Sequence, residues 1–152
     1  MSDQTPSHDE ALKIVQGMYD KDRFSQLLGI EIKEAEPGRC RLMMKIGKDM
    51  VNGFGIVHGG VTFAFGDSAL AFASNAYGRL AVALEASISY PAPVNVGDTL
   101  TAVAEEVSLT NRIGIYNITI TNQNGARVGL FKGTVYRTSK VHEQNEQKGT
   151  AS

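Results

Sequence analysis

The segment from residue 50 to residue 78 constrains this chain more than any other, because it carries one formal charge, Asp67, among apolar and small residues. Its first part, residues 52–60, is rich in glycine and predicts a loop. Residues 59–77 carry phenylalanine, leucine and alanine on nearly every side of a helical wheel. A helix of that kind must be buried on nearly every side. The segment therefore predicts a central helix that the rest of the chain surrounds.

The other residues supply strands. Apolar and polar residues alternate in six runs, near residues 30–36, 39–46, 81–90, 99–109, 113–122 and 127–137. Asn124-Gly125 separates the last two runs and predicts a type I′ hairpin, which makes these strands antiparallel neighbours. The predicted fold is α+β, with one long helix wrapped by a curved, mostly antiparallel sheet of about six strands. Because one sheet of this size cannot cover the helix completely, self-association is also predicted.

The predicted domain organisation is simple. Residues 1–20 form an N-terminal helical extension, in which residues 9–19 carry an apolar helical face. Residues 21–138 form a single domain, and the polar residues 139–152 form a disordered tail.

Composition excludes several classes of function. A formal net charge of -1 gives no general attraction to nucleic acid or to anionic membranes. The single cysteine, Cys40, excludes an internal disulfide and suits a reducing cytoplasm. The most apolar run, residues 61–73, is too short to span a bilayer, and no signal-peptide pattern opens the chain. A cytoplasmic enzyme or binding domain is the expectation.

Asp67 is the first candidate for chemistry. A lone carboxylate in apolar surroundings is costly unless it is paired, hydrogen-bonded or protonated. Desolvation would raise the pKa of Asp67 and make it a better general base. Asp67 is thus a candidate base or nucleophile, and a purely structural hydrogen bond to the backbone is the alternative.

The loop before the helix is the second candidate. The sequence His58-Gly59-Gly60 enters the helix, where unpaired N–H groups and the positive end of the helix dipole can stabilise an oxyanion. The alternative is that the glycines only permit a tight entry turn. His58 and Asp67 are nine residues apart (67 − 58), which places them on opposite faces and roughly 13 Å apart along the axis. If both serve one site, that site must combine two subunits of an obligate dimer.

Other chemistries fit the sequence less well. His8 and His142 lie in the polar ends of the chain, so His58 has no second histidine with which to hold a metal. Cys40 lies in an alternating strand, where a buried core thiol is the commoner role. Gly59-Gly60 lacks the Lys-Ser/Thr ending of a phosphate-binding loop.

These motifs together resemble those of a known family. Asn52-Gly53, then His58-Gly59-Gly60, then Asp67 seven residues after Gly60, is similar to the signature of hotdog-fold acyl-CoA thioesterases, particularly the phenylacetate-degradation type. The resemblance extends over residues 18–137. It includes Ser89-Tyr90-Pro91-Ala92-Pro93 and Gly97-Asp98-Thr99-Leu100.

The resemblance implies hydrolysis of an acyl-CoA thioester to the free acid and coenzyme A. The expected substrates are phenylacetyl-CoA, hydroxyphenylacetyl-CoA or a medium-chain acyl-CoA. It implies no metal and no cofactor beyond the coenzyme A of the substrate, and a homodimer with sites across its interface that pairs into a dimer of dimers. By matching position, Asp67 is the base or nucleophile and the Gly59 N–H polarises the carbonyl. Asn52 and His58 shape that pocket from the partner subunit.

The resemblance also directs attention to substrate-binding residues and to one departure. The acyl pocket is expected among loop and helix residues, and coenzyme A phosphates near basic residues of turns and strand ends, with ordinary surface charge as the alternative for the latter. The expected residues are Phe54, Gly60, Val61 and Phe65 for the acyl group and Arg112, Lys132 and Arg137 for the phosphates. Ala83 stands where some relatives have a serine that positions water, which leaves Thr62 and Ser68 as candidates for that task.

Two alternative functions remain at the level of sequence. A hotdog enoyl-CoA hydratase would pair Asp and His at a different spacing from loop to helix. A non-catalytic acyl-CoA-binding or sensing module would use the same fold, although no DNA-binding helical pair or basic arm accompanies it here.

Overall fold

Two short helices precede a six-stranded sheet that curves around one long helix, in a computed structural model that describes residues 4–143. The elements, in chain order, are α1 His8–Lys21, α2 Arg23–Leu27, β1 Glu31–Glu36, β2 Arg39–Lys45, α3 Gly59–Asn75, β3 Arg79–Ser89, β4 Thr99–Leu109, β5 Ile113–Thr121 and β6 Arg127–Val141. The strand order is β1-β2-β4-β5-β6-β3, and every neighbouring pair is antiparallel. The predicted α+β hotdog fold is confirmed.

The hydrophobic core lies between α3 and the inner face of the sheet. Alternate residues of β2, β4, β5 and β6 are buried there, and Ala11 and Val15 of α1 join the same core. Two glycines set the distance between helix and sheet. A Cβ atom on Gly66 would lie 2.6 Å from Cδ2 of Phe131, and one on Gly133 would lie 2.4 Å from Cδ2 of Leu70.

One stripe of α3 is left open by the sheet. Gly60, Ala64, Asp67 and Ala71 follow one another at helical spacing, and each is exposed or half-buried while the opposite face is buried. The prediction that one sheet cannot cover the helix is confirmed by this stripe. Self-association itself stays a prediction.

The hairpin between β5 and β6 is antiparallel as predicted, but its predicted turn type is wrong. Type I′ needs a positive φ at both central residues, whereas only Gly125, at φ 78°, is positive. The Gly125 N–H donates to the Asn122 carbonyl at 3.0 Å, and the Asn122 side chain accepts the N–H groups of Asn124 and Ala126. The loop is a type I turn followed by a left-handed glycine.

Strand β6 also runs further than predicted, to Val141 rather than residue 137. Tertiary contacts hold its last part against the start of β3. The Thr138 hydroxyl donates to the Leu80 carbonyl at 2.7 Å, and Nε of Arg79 donates to the Thr138 carbonyl at 3.0 Å. The predicted polar tail therefore cannot begin at residue 139, and its residues 144–152 lie outside the described part of the chain.

Candidate active site

A tight loop precedes α3 and is organised by Asn52. The Oδ1 atom of Asn52 accepts the N–H groups of Phe54 at 2.9 Å and Ile56 at 3.1 Å. Val51 and Val57 pair across the base of the loop, and Gly55 takes the left-handed conformation at φ 76°. The side-chain oxygen of Asn52 is therefore committed to the loop, and only its amide N–H groups are available to a ligand.

His58 is the N-cap of α3. Its Nδ1 atom accepts the Gly60 N–H at 2.8 Å, and its own N–H donates to the Met50 carbonyl at 2.8 Å. An imidazole nitrogen that accepts a hydrogen bond carries no proton, which assigns the ring proton to Nε2. Gly60 is required for this arrangement, because a Cβ atom there would lie 2.9 Å from Nδ1.

Gly59 keeps a backbone N–H available at the start of α3. The Gly60 N–H is used by His58, and the Val61 N–H donates to the His58 carbonyl at 3.0 Å. Within residues 4–143 the Gly59 N–H has no acceptor. Tyr90 holds Gly59 in place from the other side, since its hydroxyl donates to the Gly59 carbonyl at 2.8 Å and would lie 3.1 Å from a Cβ atom there. One N–H group at the positive end of a helix is therefore free to meet an anion.

Asp67 lies two turns further along α3, on the open stripe, at the mouth of a cleft of about 290 Å³. The walls come from α2, from α3 and from the junction of α1 and α2. They are formed by Asp22, Phe24, Ser25, Phe63, Ala64, Ser68 and Ala71. Partial burial raises the pKa of Asp67, and the negative charge of Asp22 raises it further. No hydrogen-bond donor reaches the Asp67 carboxylate from the described residues, so the structural alternative for Asp67 finds no support.

The sequence interpretation missed the other carboxylate of this cleft. Asp22 is the N-cap of α2, and its carboxylate accepts both the N–H and the hydroxyl of Ser25. The Ser25 hydroxyl lies 2.8 Å from the Ser68 hydroxyl. The signal was present in the sequence, because an aspartate three residues before a serine at a helix start is a capping pattern.

None of the predicted acyl-pocket residues, which are Phe54, Gly60, Val61 and Phe65, lines this cleft. Phe65 is fully buried in the core and does not line the cleft, whereas Phe63 does. The assignment of Phe65 to an acyl pocket stays a prediction. Phe54 is 90 % exposed on the entry loop, and Val61 is half-buried in the first turn of α3. Both lie by the Gly59 end of the helix.

The candidates for positioning water are also separated. Thr62 is buried against Gly129, at which a Cβ atom would lie 3.1 Å from Cγ2 of Thr62. Ser68 borders the Asp67 cleft, and Ala83 lies exposed on β3. Of the two candidates, Ser68 alone is next to Asp67.

The residues predicted to bind phosphate lie at two separate positions on the sheet. Arg112 and Arg137 meet where the β4–β5 turn contacts β6, with Nη1 of Arg137 donating to the Thr110 carbonyl at 2.9 Å. Their guanidinium carbons lie 5.9 Å and 5.3 Å from the ring centres of Tyr136 and Tyr77, respectively. Lys132 is five residues earlier on β6, roughly 17 Å away at ~3.3 Å per residue. One phosphate group cannot bridge Lys132 and Arg137.

Residues 4–143 contain no group of three or more His, Cys, Asp or Glu side chains that could hold a metal ion. No helix in that range is long and apolar enough to cross a membrane. The expectation of a reaction without metal or cofactor stays a prediction.

The unbroken helix confirms the geometric constraint on the site. Gly59 begins α3 and Asp67 lies eight residues later (67 − 59), so the two are separated by roughly 12 Å at ~1.5 Å per residue. The free N–H and the carboxylate of one subunit therefore cannot act on the same atom.

Comparisons with known proteins identify the family of this chain. The model of the family described as "Thioesterase superfamily" matches residues 54–128, which include the helix start and Asp67. Acyl-coenzyme A thioesterase PaaI of Escherichia coli is 38 % identical over 120 residues, covering 79 % of this chain and 86 % of that protein.

Solved structures of related proteins have the same fold as this chain. The E. coli PaaI protein from the phenylacetic acid degradation operon superposes with a TM-score of 0.86 at 34 % identity, covering 88 % of this chain and 97 % of that one. A Streptococcus mutans protein solved bound to acetyl CoA has a TM-score of 0.71 at 27 % identity, covering 74 % and 90 %. The chain belongs to the thioesterase superfamily, as a thioester hydrolase with the hotdog fold of the PaaI type.

Proposed function

We propose that this protein hydrolyses acyl-CoA thioesters, with Asp67 as the general base and the Gly59 N–H as the oxyanion donor. The observation that carries the proposal is the N-terminus of α3. There His58 takes the Gly60 N–H, Tyr90 fixes the Gly59 carbonyl, and the Gly59 N–H is left without an acceptor among residues 4–143. The thioesterase name of the E. coli relative and the acetyl CoA bound to the S. mutans protein support coenzyme A thioesters as the substrate class.

The reaction follows from these two groups. The Asp67 carboxylate takes a proton from a water molecule, and the water oxygen attacks the thioester carbonyl. Charge develops on the carbonyl oxygen, where the Gly59 N–H and the helix dipole stabilise it. The tetrahedral intermediate then collapses, the C–S bond breaks, and the coenzyme A thiolate takes the proton held by Asp67. The products are the free acid and coenzyme A.

A base is favoured over a nucleophile by the surroundings of Asp67. Burial and the charge of Asp22 both raise the pKa of Asp67, which strengthens it as a proton acceptor. Attack by Asp67 itself would form a mixed anhydride with the acyl group. Single-turnover hydrolysis in ¹⁸O-labelled water tests the anhydride route, because label in Asp67 requires water to attack an anhydride at the Asp67 carbonyl, whereas general-base catalysis leaves Asp67 unlabelled.

The proposed site requires two subunits. Since Gly59 and Asp67 of one helix cannot act on the same atom, a second copy must supply one of them. Strand β3 is at the edge of the sheet, and Val82 and Leu84 expose 46 % and 59 % of their surface there. An uncovered apolar edge strand is suited to pairing with a copy of itself. We therefore propose a homodimer in which β3 pairs with β3 and each site combines both chains, and a further pairing into a dimer of dimers.

The cleft next to Asp67 favours an aromatic acyl group. Phe24 and Phe63 provide two aromatic walls, and Ala64 and Ala71 leave room between them. Aromatic pairs gain energy beyond simple burial, which favours a phenylacetyl or hydroxyphenylacetyl group over a linear chain of similar size. Arg112 and Arg137 are proposed for the phosphates of coenzyme A, with no metal or further cofactor.

The test is release of free thiol from a panel that includes phenylacetyl-CoA, hydroxyphenylacetyl-CoA and medium-chain acyl-CoAs. We expect Asp67→Asn to lower kcat by about 10²- to 10⁴-fold, the usual contribution of a general base. Asp49→Asn is the matched control, because Asp49 is an exposed aspartate of the loop before α3 and should leave the rate unchanged.

The other outcomes distinguish the alternatives. Full activity of Asp67→Asn would refute the assignment of the base. Tight acyl-CoA binding without thiol release would identify a binding or sensing module, and loss of enoyl absorbance from crotonyl-CoA would identify a hydratase.

A further inference from the structure

The second carboxylate of the cleft, Asp22, is fixed in place by hydrogen bonds. Asp22 lies where α1 ends and α2 begins, and it caps α2. Its Oδ1 atom accepts the Ser25 N–H at 2.9 Å, and its Oδ2 atom accepts the Ser25 hydroxyl. No lysine or arginine forms an ion pair with it among the described residues. Asp22 therefore presents an uncompensated negative charge to the cleft that it shares with Asp67.

A buried polar link connects this carboxylate to the helix that carries Asp67. Ser25 and Ser68 are 1 % and 9 % exposed, and their hydroxyl oxygens lie 2.8 Å apart. Ser68 directly follows Asp67 on α3. A hydrogen bond that bridges two helices and is shielded from water holds its partners more firmly than an exposed one. The separation of Asp22 from Asp67 is thus set by the fold.

The link also has a direction. A carboxylate can only accept, so the Ser25 hydroxyl must donate its proton to Asp22. Ser25 then has only a lone pair to offer to Ser68, which means that the Ser68 hydroxyl donates to Ser25. While its proton is used in this way, Ser68 cannot donate to the neighbouring Asp67. The Ser68 hydroxyl is therefore not used as a donor that would stabilise the ionised form of Asp67.

We propose that Asp22 is a positioning residue for the hydrolysis: held by Ser25, which Ser68 holds in turn, its fixed negative charge in the cleft shared with Asp67 makes Asp67 a stronger acceptor of the water's proton. The inference rests on the proposed function, in which Asp67 is the base. Asp22 then has two roles, because the carboxylate that caps α2 also influences the proton affinity of Asp67 on α3.

Asp22 lies between two spaces that differ in charge, namely the cleft that it shares with Asp67 and a groove on its other side. Among residues 4–143, Asp22 and Asp67 are the only titratable groups that line the cleft walls. On its other side Asp22 borders a groove between α1, α3 and the end of β6. The charged and titratable residues of that groove are Glu10, Lys13, Asp20, Lys21, Lys140, His142 and Glu143.

The test is the pH dependence of kcat/KM for thiol release by the full-length protein. Protonation of Asp67 abolishes the base, so activity falls on the acid side. Asp22→Asn removes the charge and replaces one accepting oxygen by an NH₂ group, which frees the Ser25 and Ser68 hydroxyls to turn towards Asp67. Both changes stabilise the ionised Asp67. We expect the acid limb to move to lower pH by about half a unit to one unit, as expected for loss of a like charge in a half-exposed cleft.

Two further variants keep the test decisive. Asp22→Ser also retains a good helix cap without the charge, since Asp, Asn and Ser are N-caps of similar strength, and should move the acid limb in the same direction. Asp20→Asn is the matched control, because Asp20 carries the same charge two residues away and bonds only to Gln16. Its profile should coincide with that of the wild type.

The outcomes separate this inference from the proposed function. If Asp67→Asn is inactive while both Asp22 variants keep the wild-type acid limb, the role of Asp22 is overturned and the function stands. If Asp67→Asn is active, the base assignment fails and the role of Asp22 fails with it.

Discussion

Replacing Gly60 by alanine separates the stability of α3 from the catalytic use of its N-terminus. A Cβ atom on residue 60 would lie 2.9 Å from Nδ1 and 3.1 Å from Cε1 of His58. Because the obstacle is the end of a side chain, the imidazole can rotate away, and the backbone of α3 can stay where it is. The 2.8 Å hydrogen bond from the Gly60 N–H to His58 is then lost.

The two contributions of this substitution to the free energy of unfolding nearly cancel. Losing an N-cap costs about 1 kcal/mol. Exchanging glycine for alanine within a helix gains up to about 1 kcal/mol, because alanine loses less backbone entropy on folding. The free energy of unfolding should thus change by less than about 1 kcal/mol, which corresponds to a shift in Tm of less than about 4 °C for a domain of this size.

Activity should respond much more strongly. The His58 ring would move towards the position where the carbonyl oxygen of the substrate meets the Gly59 N–H, and a displacement of about 1 Å at such a site can cost ~10²-fold in rate. We expect kcat/KM for thiol release to fall by about 10- to 100-fold. Thermal unfolding followed by circular dichroism measures the first quantity, and a steady-state thiol assay measures the second.

Two controls sharpen the result. Gly53→Ala adds a methyl group in the same loop where nothing lies within 4 Å and φ is not positive, so both quantities should match the wild type. In a His58→Ala background, Gly60→Ala should cause no further loss, because the side chain that it displaces is absent. Wild-type kcat/KM in a folded Gly60→Ala protein would refute the reasoning.

The remaining predictions concern the fold and the assembly. Gly133→Ala should lower the free energy of unfolding by about 1–3 kcal/mol, because its Cβ atom would clash with Leu70 at 2.4 Å, and the cost measured by denaturant titration should shrink in a Leu70→Ala background. Burial and the charge of Lys21 lower the pKa of His142 in the folded protein, so the unfolded chain binds a proton at this histidine more readily. The free energy of unfolding should therefore fall as pH drops below the ordinary histidine pKa of about 6.5. The variant His142→Asn should show a smaller fall over the same pH range. Leu84→Lys on the β3 edge should yield monomers in size-exclusion chromatography and abolish thiol release, whereas an active monomer would contradict the shared site.

The sequence predicted the architecture because its periodicities are local. The change from helical to alternating patterns located α3 and all six strands, and the lone charge at Asp67 marked the face of α3 that the sheet leaves open. The predicted turn type at Asn124 was wrong because Asn-Gly suits two hairpin geometries. The Asn122 side chain stabilises the observed one by accepting the N–H groups of Asn124 and Ala126. The end of β6 was missed because Arg79 and Leu80, distant in sequence, hold it in the sheet.

Some residues of the candidate site could also be predicted from local sequence spacing, and others could not. Residues of α3 could have been sorted by helical phase alone, since Phe63 lies four residues before Asp67 and shares its face, while Phe65 lies two residues before it and points to the opposite side. Asp22 could not have been found by phase, because it meets Asp67 only through the docking of α2 onto α3.

The open stripe of α3 explains why the two halves of the proposed site can meet at all. Gly60, Ala64 and Ala71 are small, and they surround Asp67 on the one face that the sheet does not cover. Small side chains on a helix face let a second helix approach its backbone more closely than large side chains do. If a two-fold axis crosses α3 at right angles midway between Gly59 and Asp67, two copies of α3 run antiparallel, and the start of one lies beside the middle of the other. A separation of roughly 12 Å between Gly59 and Asp67, which forbids catalysis within one chain, is then the offset that brings the Gly59 N–H of one chain to the Asp67 of its partner.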